Sequence, residues 1–467
     1  MLRVVPNTHR RNTTWKQSAL ALSVCLLVAM LWKVGEFMLI PIVLAILPLA
    51  AIITLNNAFL VVLGFIIFSF FRIHEVFPFL MPLRLPILLA ITSFAVLAWN
   101  IFAGKIEVFW TKELSIFVMF FVLVVVGATL AANRAVAFES LTGTYAKIAM
   151  IVFAITWMTQ SLKEFKLASI LICGSGILVA IIALYNSVNG IGLVEGTRVT
   201  IGRDIGSMLG DPNDLSLVLL FPSAFGLSYI MSPNIKFFDR LLGLATITLM
   251  FLAILATQSR GGLLGIMAVM GVFAWYKVPS KTLLIVAGLA GAVLLYIIAD
   301  IGTRSSGGLH EGGLDESAKG RLYAWEAAFW MAVHNPIAGI GISNFVYNYW
   351  EYSHYWDGQN HAVHSTWFGV LAETGFLGFG LFISLIVMSV RNMMRVIAFL
   401  TDNPEHPYLF AMAKALLAGF AGFCASGTFL TMGFVWPFYI MFGLSLALFH
   451  IVSQIERDDR NIARNAL

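Results

Sequence analysis

Long hydrophobic runs, separated by short polar connections, follow one another along almost the whole chain. Each run is about long enough to cross the roughly 30 Å hydrocarbon core of a bilayer as an α-helix. The pattern therefore predicts an all-α polytopic membrane protein with about 12 to 14 transmembrane helices. The runs lie near 17–32, 37–54, 57–71, 86–103, 114–133, 144–160, 166–188, 213–232, 240–257, 261–276, 282–299, 363–390, 409–427 and 432–453.

One long polar segment interrupts this pattern and divides the chain into three parts. We predict N-terminal transmembrane helices at 1–299, an extramembrane loop at 300–362, and C-terminal transmembrane helices with a tail at 363–467. Between Asp315 and Val333 the apolar residues recur at helical spacing, and Asn335-Pro336 follows as a stop signal. This part of the loop is predicted to be an amphipathic helix along the membrane surface. Its apolar positions are Leu322, Trp325, Ala328, Phe329 and Val333.

The composition excludes a soluble globular protein and the charges give an orientation. Hydrophobic residues make up 60% of the chain and charged residues 11%, whereas soluble domains carry about a quarter of charged residues. Lys and Arg favour cytoplasmic loops, so an even number of spans places both basic termini in the cytoplasm. The same alternation leaves three segments on the exterior face, namely 188–211, 257–262 and 300–362. The remaining basic connections fall on the cytoplasmic side, at Lys163/Lys166, Lys236/Arg240, Lys277/Lys281 and Arg391/Arg395.

Three exterior residues have side chains suited to chemistry on an anionic, membrane-bound substrate. His364 stands where the polar loop enters a hydrophobic run, and a histidine there can accept a proton near neutral pH. Arg260 lies between two apolar runs at the exterior interface, where the positive-inside bias argues against a topology arginine, although a snorkelling arginine is the alternative. Arg321 opens the loop helix, where a guanidinium suits phosphate oxygens. Pairing of Arg321 with Glu326 or Asp315 is its alternative role.

Other polar residues of the exterior loops have more modest predicted roles. Arg203 is a candidate contact for the donor or acceptor substrate, or else a partner of Asp204. His361 is a second candidate for the proton-accepting histidine, although the position of His364 fits that role better. Asp211-Pro212-Asn213 reads as a helix start with an N-cap. Glu373 is predicted to be a buried hydrogen-bond partner of a neighbouring helix.

No metal site, cofactor or nucleic-acid partner is predicted. Cys25, Cys173 and Cys424 lie far apart in separate hydrophobic runs, so the chain has neither a disulfide framework nor a cysteine cluster. The exterior histidines lack metal-ligand spacing. A hydrolase nucleophile elbow and a phosphate-binding Walker loop are also missing from the sequence.

Several motifs, which occur in the order expected for the family, resemble those of the O-antigen ligase and polymerase-like proteins of bacterial envelopes. The Asp211-Pro-Asn213 segment is similar to a further family element, whereas Ser365 departs from the asparagine that commonly follows the family's histidine. The resemblance covers most of the second half of the chain. The matching motifs are Thr257-Gln-Ser-Arg260-Gly-Gly, Gly320-Arg321 with Trp325, Asn335-Pro336 through Asn344-Phe345, and His364-Ser365 with Glu373-Thr-Gly375.

The resemblance implies a function and a set of roles. Such proteins are GT-C-like glycosyltransferases of the inner membrane, which transfer a glycan from undecaprenyl diphosphate to an acceptor hydroxyl at the periplasmic face, with inversion and without a metal. His364 would then be the general base, and Arg260 and Arg321 would bind the diphosphate. The expected acceptor is lipid A-core. A polymerase of lipid-linked repeat units and a protein O-oligosaccharyltransferase remain alternatives, and a lipid-sugar flippase is disfavoured because the unusual charges lie at the interface rather than at mid-bilayer.

Overall fold

The computed structural model describes residues 58–298 and 316–465, and within them the chain is helical without a β-strand. This confirms the predicted all-α class. The N-terminal helices are α1 (Ala58–Phe70), α2 (Ile73–Val76), α3 (Leu85–Phe102), α4 (Lys112–Leu130), α5 (Arg134–Ser140), α6 (Ala146–Met158), α7 (Leu162–Asn189), α8 (Pro212–Met231), α9 (Phe237–Thr257), α10 (Arg260–Lys277) and α11 (Lys281–Ile298). The C-terminal helices are α12 (Glu316–His334), α13 (Phe345–Tyr352), α14 (Thr366–Asp402), α15 (Pro407–Gly427) and α16 (Trp436–Asn465).

Nine helical segments of the described residues are long and apolar enough to cross a membrane. A π-helical turn, Leu141–Tyr145, joins α5 and α6 into one of these segments. Helix α1 and the described apolar part of α11 are shorter, and α10 carries a charge at each end. Every apolar run predicted after residue 57 coincides with a helix, whereas the runs predicted at 17–32 and 37–54 lie outside the described residues. The chain is a multi-pass membrane protein.

The centre of the helical bundle is formed by α8, α15 and α16. In their most apolar windows 78%, 78% and 72% of the residues are buried in the protein, against 22% for α3 at the periphery. Small residues let the helices approach closely, as is common inside membranes. A Cβ atom on Gly243 of α9 would lie 2.6 Å from the carbonyl oxygen of Gly226 in α8. The bundle core is therefore packed too closely at this crossing to admit a side chain.

Helix α14 is broken near its start, and the break holds the extramembrane helices on the bundle. Gly375 adopts φ 68° and ψ −174°, which interrupts the helical hydrogen bonds. The segment that follows α12 fills the gap, because the amide of Phe376 donates to the Pro336 carbonyl at 2.8 Å and the amide of Ile340 donates to the Ala372 carbonyl at 3.0 Å. A Cβ atom on Gly375 would lie 2.5 Å from the Pro336 oxygen. The Asn335-Pro336 and Glu373-Thr-Gly375 motifs are thus two halves of one backbone contact.

The predicted loop helix is present as α12, but its apolar residues do not all lie on one face. Ala324, Ala328 and Met331 are buried against the protein. Leu322 and Phe329, which belong to the predicted apolar face, are exposed. Large apolar side chains that point away from the protein suit a helix that lies between the bundle and a membrane surface.

Candidate functional site

Arg260 stands at the first position of α10, directly after a sharp chain reversal. Gln258 adopts a left-handed conformation with φ 48°, and the Ser259 hydroxyl caps α10 by accepting the Gly262 amide at 3.1 Å. A Cβ atom at Gly262 would lie 2.5 Å from the Ser216 side chain of α8. The glycines of the Ser-Arg-Gly-Gly motif therefore let α10 start against α8, and they leave the Arg260 side chain exposed at the positive end of a helix.

The loop at 190–211 packs against this reversal. The Asn213 side-chain oxygen accepts hydrogen bonds from the Ser259 hydroxyl at 2.8 Å and from the Arg198 guanidinium at 2.9 Å. Arg198 also donates to the Thr257 carbonyl at 3.2 Å, and Asp211 caps α8 as predicted, accepting the Asn213 amide at 2.7 Å. The N-termini of α8 and α10 consequently lie side by side.

Arg203 is exposed and lies close to Asp211 along this loop. Its guanidinium donates to the Gly210 carbonyl at 3.2 Å, immediately before the helix cap. A buried carboxylate holds the same loop, because Glu75 of α2 accepts the Ser207 hydroxyl at 2.5 Å. The role of Glu75 was not predicted, because the residue lies between two short apolar stretches far away in sequence.

Arg321 projects from α12 one helical turn before Trp325, and both belong to the same side of the helix. The Trp325 indole donates to the Val363 carbonyl at 3.1 Å and stacks on Phe368 with 5.1 Å between ring centroids. These contacts fix α12 against the residues that flank His364. The guanidinium carbon of Arg321 lies 5.9 Å from the ring centroid of Phe429, which follows α15.

The alternative partners of Arg321 have different positions. The Glu326 carboxylate lies 3.2 Å from the His354 imidazole, with which it forms an exposed pair. Asp315 lies outside the described residues. The guanidinium of Arg321 is close to Phe429, a residue outside its own helix.

Phe429 lies between the two predicted diphosphate ligands. Its Cβ is 3.6 Å from the point that a Cβ on Gly261, next to Arg260, would occupy. The same segment is bonded to the start of α14, since the Thr366 hydroxyl donates to the Leu430 carbonyl at 2.6 Å and accepts the Met432 amide at 3.0 Å. One short connection between α15 and α16 therefore touches the surroundings of Arg260, Arg321 and His364 alike.

His364 occupies a left-handed conformation, with φ 45°, immediately before Ser365, the N-cap of α14. Part of the residue is exposed, but desolvation by the surrounding protein lowers the pKa of His364 below its ordinary value. The positive charge of Arg321 lowers this pKa further, the carboxylate of Asp211 raises it, and His361 lowers it by a smaller amount. The neutral imidazole, which can accept a proton, is therefore favoured near pH 7.

His361 has a different environment from His364. Its imidazole is bonded to the Asp357 carboxylate at 2.9 Å and meets the ring of Tyr349 edge to face, with centroids 5.4 Å apart. This hydrogen bond lowers the pKa of the Asp357 carboxyl. One nitrogen of His361 is thus engaged with a carboxylate, and the choice of His364 over His361 as the base stays a prediction.

The electrostatics of the site favour an anion. Helices α8, α10 and α14 all begin here, and each N-terminus adds partial positive charge to that of the arginines. Within 58–298 and 316–465 no group of three or more His, Cys, Asp or Glu side chains could hold a metal ion. Metal independence remains a prediction.

Glu373 is buried, and its carboxylate accepts the Phe345 amide at 3.3 Å at the N-terminus of α13. The predicted structural role of Glu373, as a hydrogen-bond partner of a neighbouring helix, is confirmed. From the sequence, Asn213 was predicted only as part of a helix start, and neither its bond to Arg198 nor a role for Arg198 was predicted. Arg198 is also an arginine on the predicted exterior face, so the reasoning applied to Arg260 could have found it.

The fold and the site define a polytopic, all-helical membrane protein with a polar centre of arginines and helix N-termini at one end of its bundle. Residues 245–383 match the family model described as O-Antigen ligase. This match supports an O-antigen ligase-like family for the chain, as the motifs predicted. The matched region contains Arg260, Arg321, His361 and His364, and it ends after the break in α14. No curated protein matches the chain.

Proposed function

We propose that the protein is a glycosyltransferase of the O-antigen ligase type, which transfers a glycan from undecaprenyl diphosphate to a hydroxyl group of lipid A-core. The proposed location of the reaction is the periplasmic face of the bacterial inner membrane. One observation carries the proposal: a histidine with a lowered pKa and two arginines gather around the Phe429 segment, where three helices begin. Such a transfer needs two elements, a general base for the acceptor hydroxyl and a cationic site that stabilises the leaving diphosphate.

In the proposed reaction, the neutral His364 imidazole accepts the proton of the acceptor hydroxyl. The acceptor oxygen attacks the anomeric carbon on the side opposite the diphosphate, so that the new glycosidic bond forms with inversion while the bond from carbon to phosphate oxygen breaks. The electron pair of that bond leaves with undecaprenyl diphosphate. Arg260, Arg321 and the helix N-termini stabilise this growing negative charge, so that the chain itself supplies the cations.

The first test is transfer by the purified protein in detergent, given an undecaprenyl-diphosphate oligosaccharide, lipid A-core and EDTA. His364→Ala should lower the rate by about 10² to 10⁴-fold, because that range is typical for loss of a general base. His334→Ala is the matched control, since this exposed histidine is bonded to the Trp330 carbonyl of its own helix, away from the site. Wild-type turnover by His364→Ala would remove His364 from the mechanism.

The product of the same assay separates the alternatives. Glycan on lipid A-core indicates a ligase, whereas a lengthened lipid-linked glycan indicates a polymerase. Transfer to an added protein hydroxyl, without reaction on lipid A-core, would indicate a protein O-oligosaccharyltransferase. No new glycosidic bond in this assay, together with lipid-sugar transport by the same protein reconstituted in vesicles, would contradict the proposal.

A further inference from the structure

Large aromatic side chains are exposed on one stretch of the extramembrane part, at 347–356. Their exposed fractions are 51% for Tyr347, 56% for Trp350, 52% for Tyr355 and 52% for Trp356. Tyr347 and Trp350 are on α13, and Tyr355 and Trp356 are in the loop that leads to His364. Several large exposed apolar side chains in one short stretch often mark a contact with a ligand, a partner or a membrane.

Contacts connect this stretch to the proposed reaction centre from two sides. The ring of Tyr355 stacks on Tyr323 with 4.0 Å between centroids, and Tyr323 is two residues beyond Arg321. On the other side, Asp357 directly follows Trp356 and binds the imidazole of His361 at 2.9 Å. Tyr355 therefore contacts α12, the helix that carries Arg321, and Trp356 directly precedes the carboxylate that binds His361.

The charges of the region disfavour phosphate groups and favour neutral sugars. No Lys or Arg occurs between Leu322 and Val390, so this stretch lacks the cations by which proteins bind anionic lipid headgroups. Beside the aromatic rings, the exposed polar groups are the His354 imidazole, which pairs with Glu326, and the carboxylates and amides of Glu351, Asp357, Gln359 and Asn360. Carboxylate and amide oxygens accept hydrogen bonds from sugar hydroxyls, and flat aromatic rings cover the apolar faces of sugar rings.

We propose that Tyr347, Trp350, Tyr355 and Trp356 form a saccharide platform that binds the neutral sugars of the acceptor glycan. This inference rests on the proposed function for the identity of the ligand as acceptor. The acceptor fits better than the donor because the Asp357–His361 pair continues from the platform to His364, the residue that would contact the acceptor hydroxyl. The diphosphate of the donor belongs to the arginines instead.

The platform is tested by calorimetric titration of the full chain in detergent with the delipidated core oligosaccharide of lipopolysaccharide. Trp356→Ala should weaken binding by about tenfold, and Trp356→Phe should restore most of it because a flat ring face remains. Trp356→Leu should behave like Ala, since leucine keeps the apolar character but not the ring. Trp275→Ala is the matched control, an exposed tryptophan next to Lys281 at the end of α10 remote from Arg260.

Two results would overturn the platform. The first is oligosaccharide affinity that is the same in Trp356→Ala, Trp356→Leu and the wild type, which would make the aromatic residues membrane anchors only. The second is no measurable binding by the wild type. Either result is independent of turnover, because the titration is repeated in the His364→Ala background.

Steady-state transfer then separates failure of the platform from failure of the proposed function. With a working platform, Trp356→Ala raises the KM for lipid A-core and leaves the KM for the lipid-linked donor near its wild-type value. Oligosaccharide binding without any transfer would contradict the proposed function and leave the platform intact. Normal transfer with an unchanged acceptor KM in Trp356→Ala would contradict the platform alone.

Discussion

At the scale of single residues, the protonation state of His364 depends on burial and on charges from two distant parts of the chain. Desolvation and Arg321 lower its pKa, and Asp211, which caps α8, raises it. A base with a pKa below its ordinary value of about 6.5 is neutral over most of the physiological range. Asp211 therefore has two effects: it raises the pKa of His364 and it caps the N-terminus of α8.

We expect Asp211→Asn to shift the pH dependence of transfer. Loss of the carboxylate removes the charge that raises the pKa of His364, so this pKa falls further and the acid limb of kcat/KM moves to lower pH. Asparagine is an equally good N-cap, so α8 should still begin at Pro212. The measurement is kcat/KM between pH 4 and 8, with Asp204→Asn as the control, an exposed residue of the same loop.

A limb that stays in place, or moves to higher pH, would show that Asp211 does not act on the base. Reduced expression or a lower unfolding temperature would be a separate effect on the cap. The two are distinguished because a change in the amount of folded enzyme scales the whole profile without moving the limb.

The sequence analysis selected candidate residues that carry unusual charge for their position, but it did not find the residues that position them. Arg260, Arg321 and His364 stood out because arginine and histidine are unexpected at an exterior interface. Asn213 looked like an ordinary helix-start residue, and its bonds to Ser259 and Arg198 exist only because Gln258 turns the chain back with positive φ. Such reversals depend on tertiary packing, which apolar periodicity does not encode.

At the scale of elements, hydrophobic periodicity predicted where helices lie but not where they break. The apolar run 363–390 is continuous in sequence, whereas α14 is interrupted at Gly375 and admits the backbone of 335–341. The break is not evident from the sequence, because it depends on the contact in the fold between two glycine-containing motifs that are distant along the chain. In a membrane such a break is tolerated because neighbouring backbone groups satisfy the free amides and carbonyls.

We expect Gly375→Ala to loosen the extramembrane helices. Alanine at φ 68° and ψ −174°, a region adopted almost only by glycine, costs about 1 to 3 kcal/mol, and its Cβ would clash with the Pro336 carbonyl at 2.5 Å. Helix α12, which carries Arg321, ends directly before this contact. The rate of glycan transfer should therefore fall together with the unfolding temperature. The measurement is thermal unfolding in detergent, followed by intrinsic fluorescence.

Gly380→Ala is the matched control for this substitution. It lies on the same helix, and a Cβ there meets nothing within 4 Å. Equal unfolding temperatures for the two variants would show that the break in α14 does not hold α12 and α13 in place.

At the scale of the whole molecule, the charges of the bundle differ between its two ends. Helix α7, with 28 residues and a length of about 42 Å at 1.5 Å per residue, runs from one end to the other. Its first two turns hold Lys163 and Lys166, and Lys166 pairs with Asp239 of α9 at 2.9 Å. Its last residue, Asn189, leads into the loop of the candidate site. The positive-inside bias thus favours a cytoplasmic position for the lysine end and an exterior position for the site.

This orientation predicts opposite labelling of single cysteines at the two ends. The chain is first freed of Cys25, Cys173 and Cys424, and then Asn360→Cys or Lys163→Cys is introduced, both at exposed positions. In intact spheroplasts a membrane-impermeant maleimide should modify Asn360→Cys at once and Lys163→Cys only after permeabilisation. The reverse pattern would put His364, Arg260 and Arg321 in the cytoplasm, and the proposed transfer could then not take place at the periplasmic face.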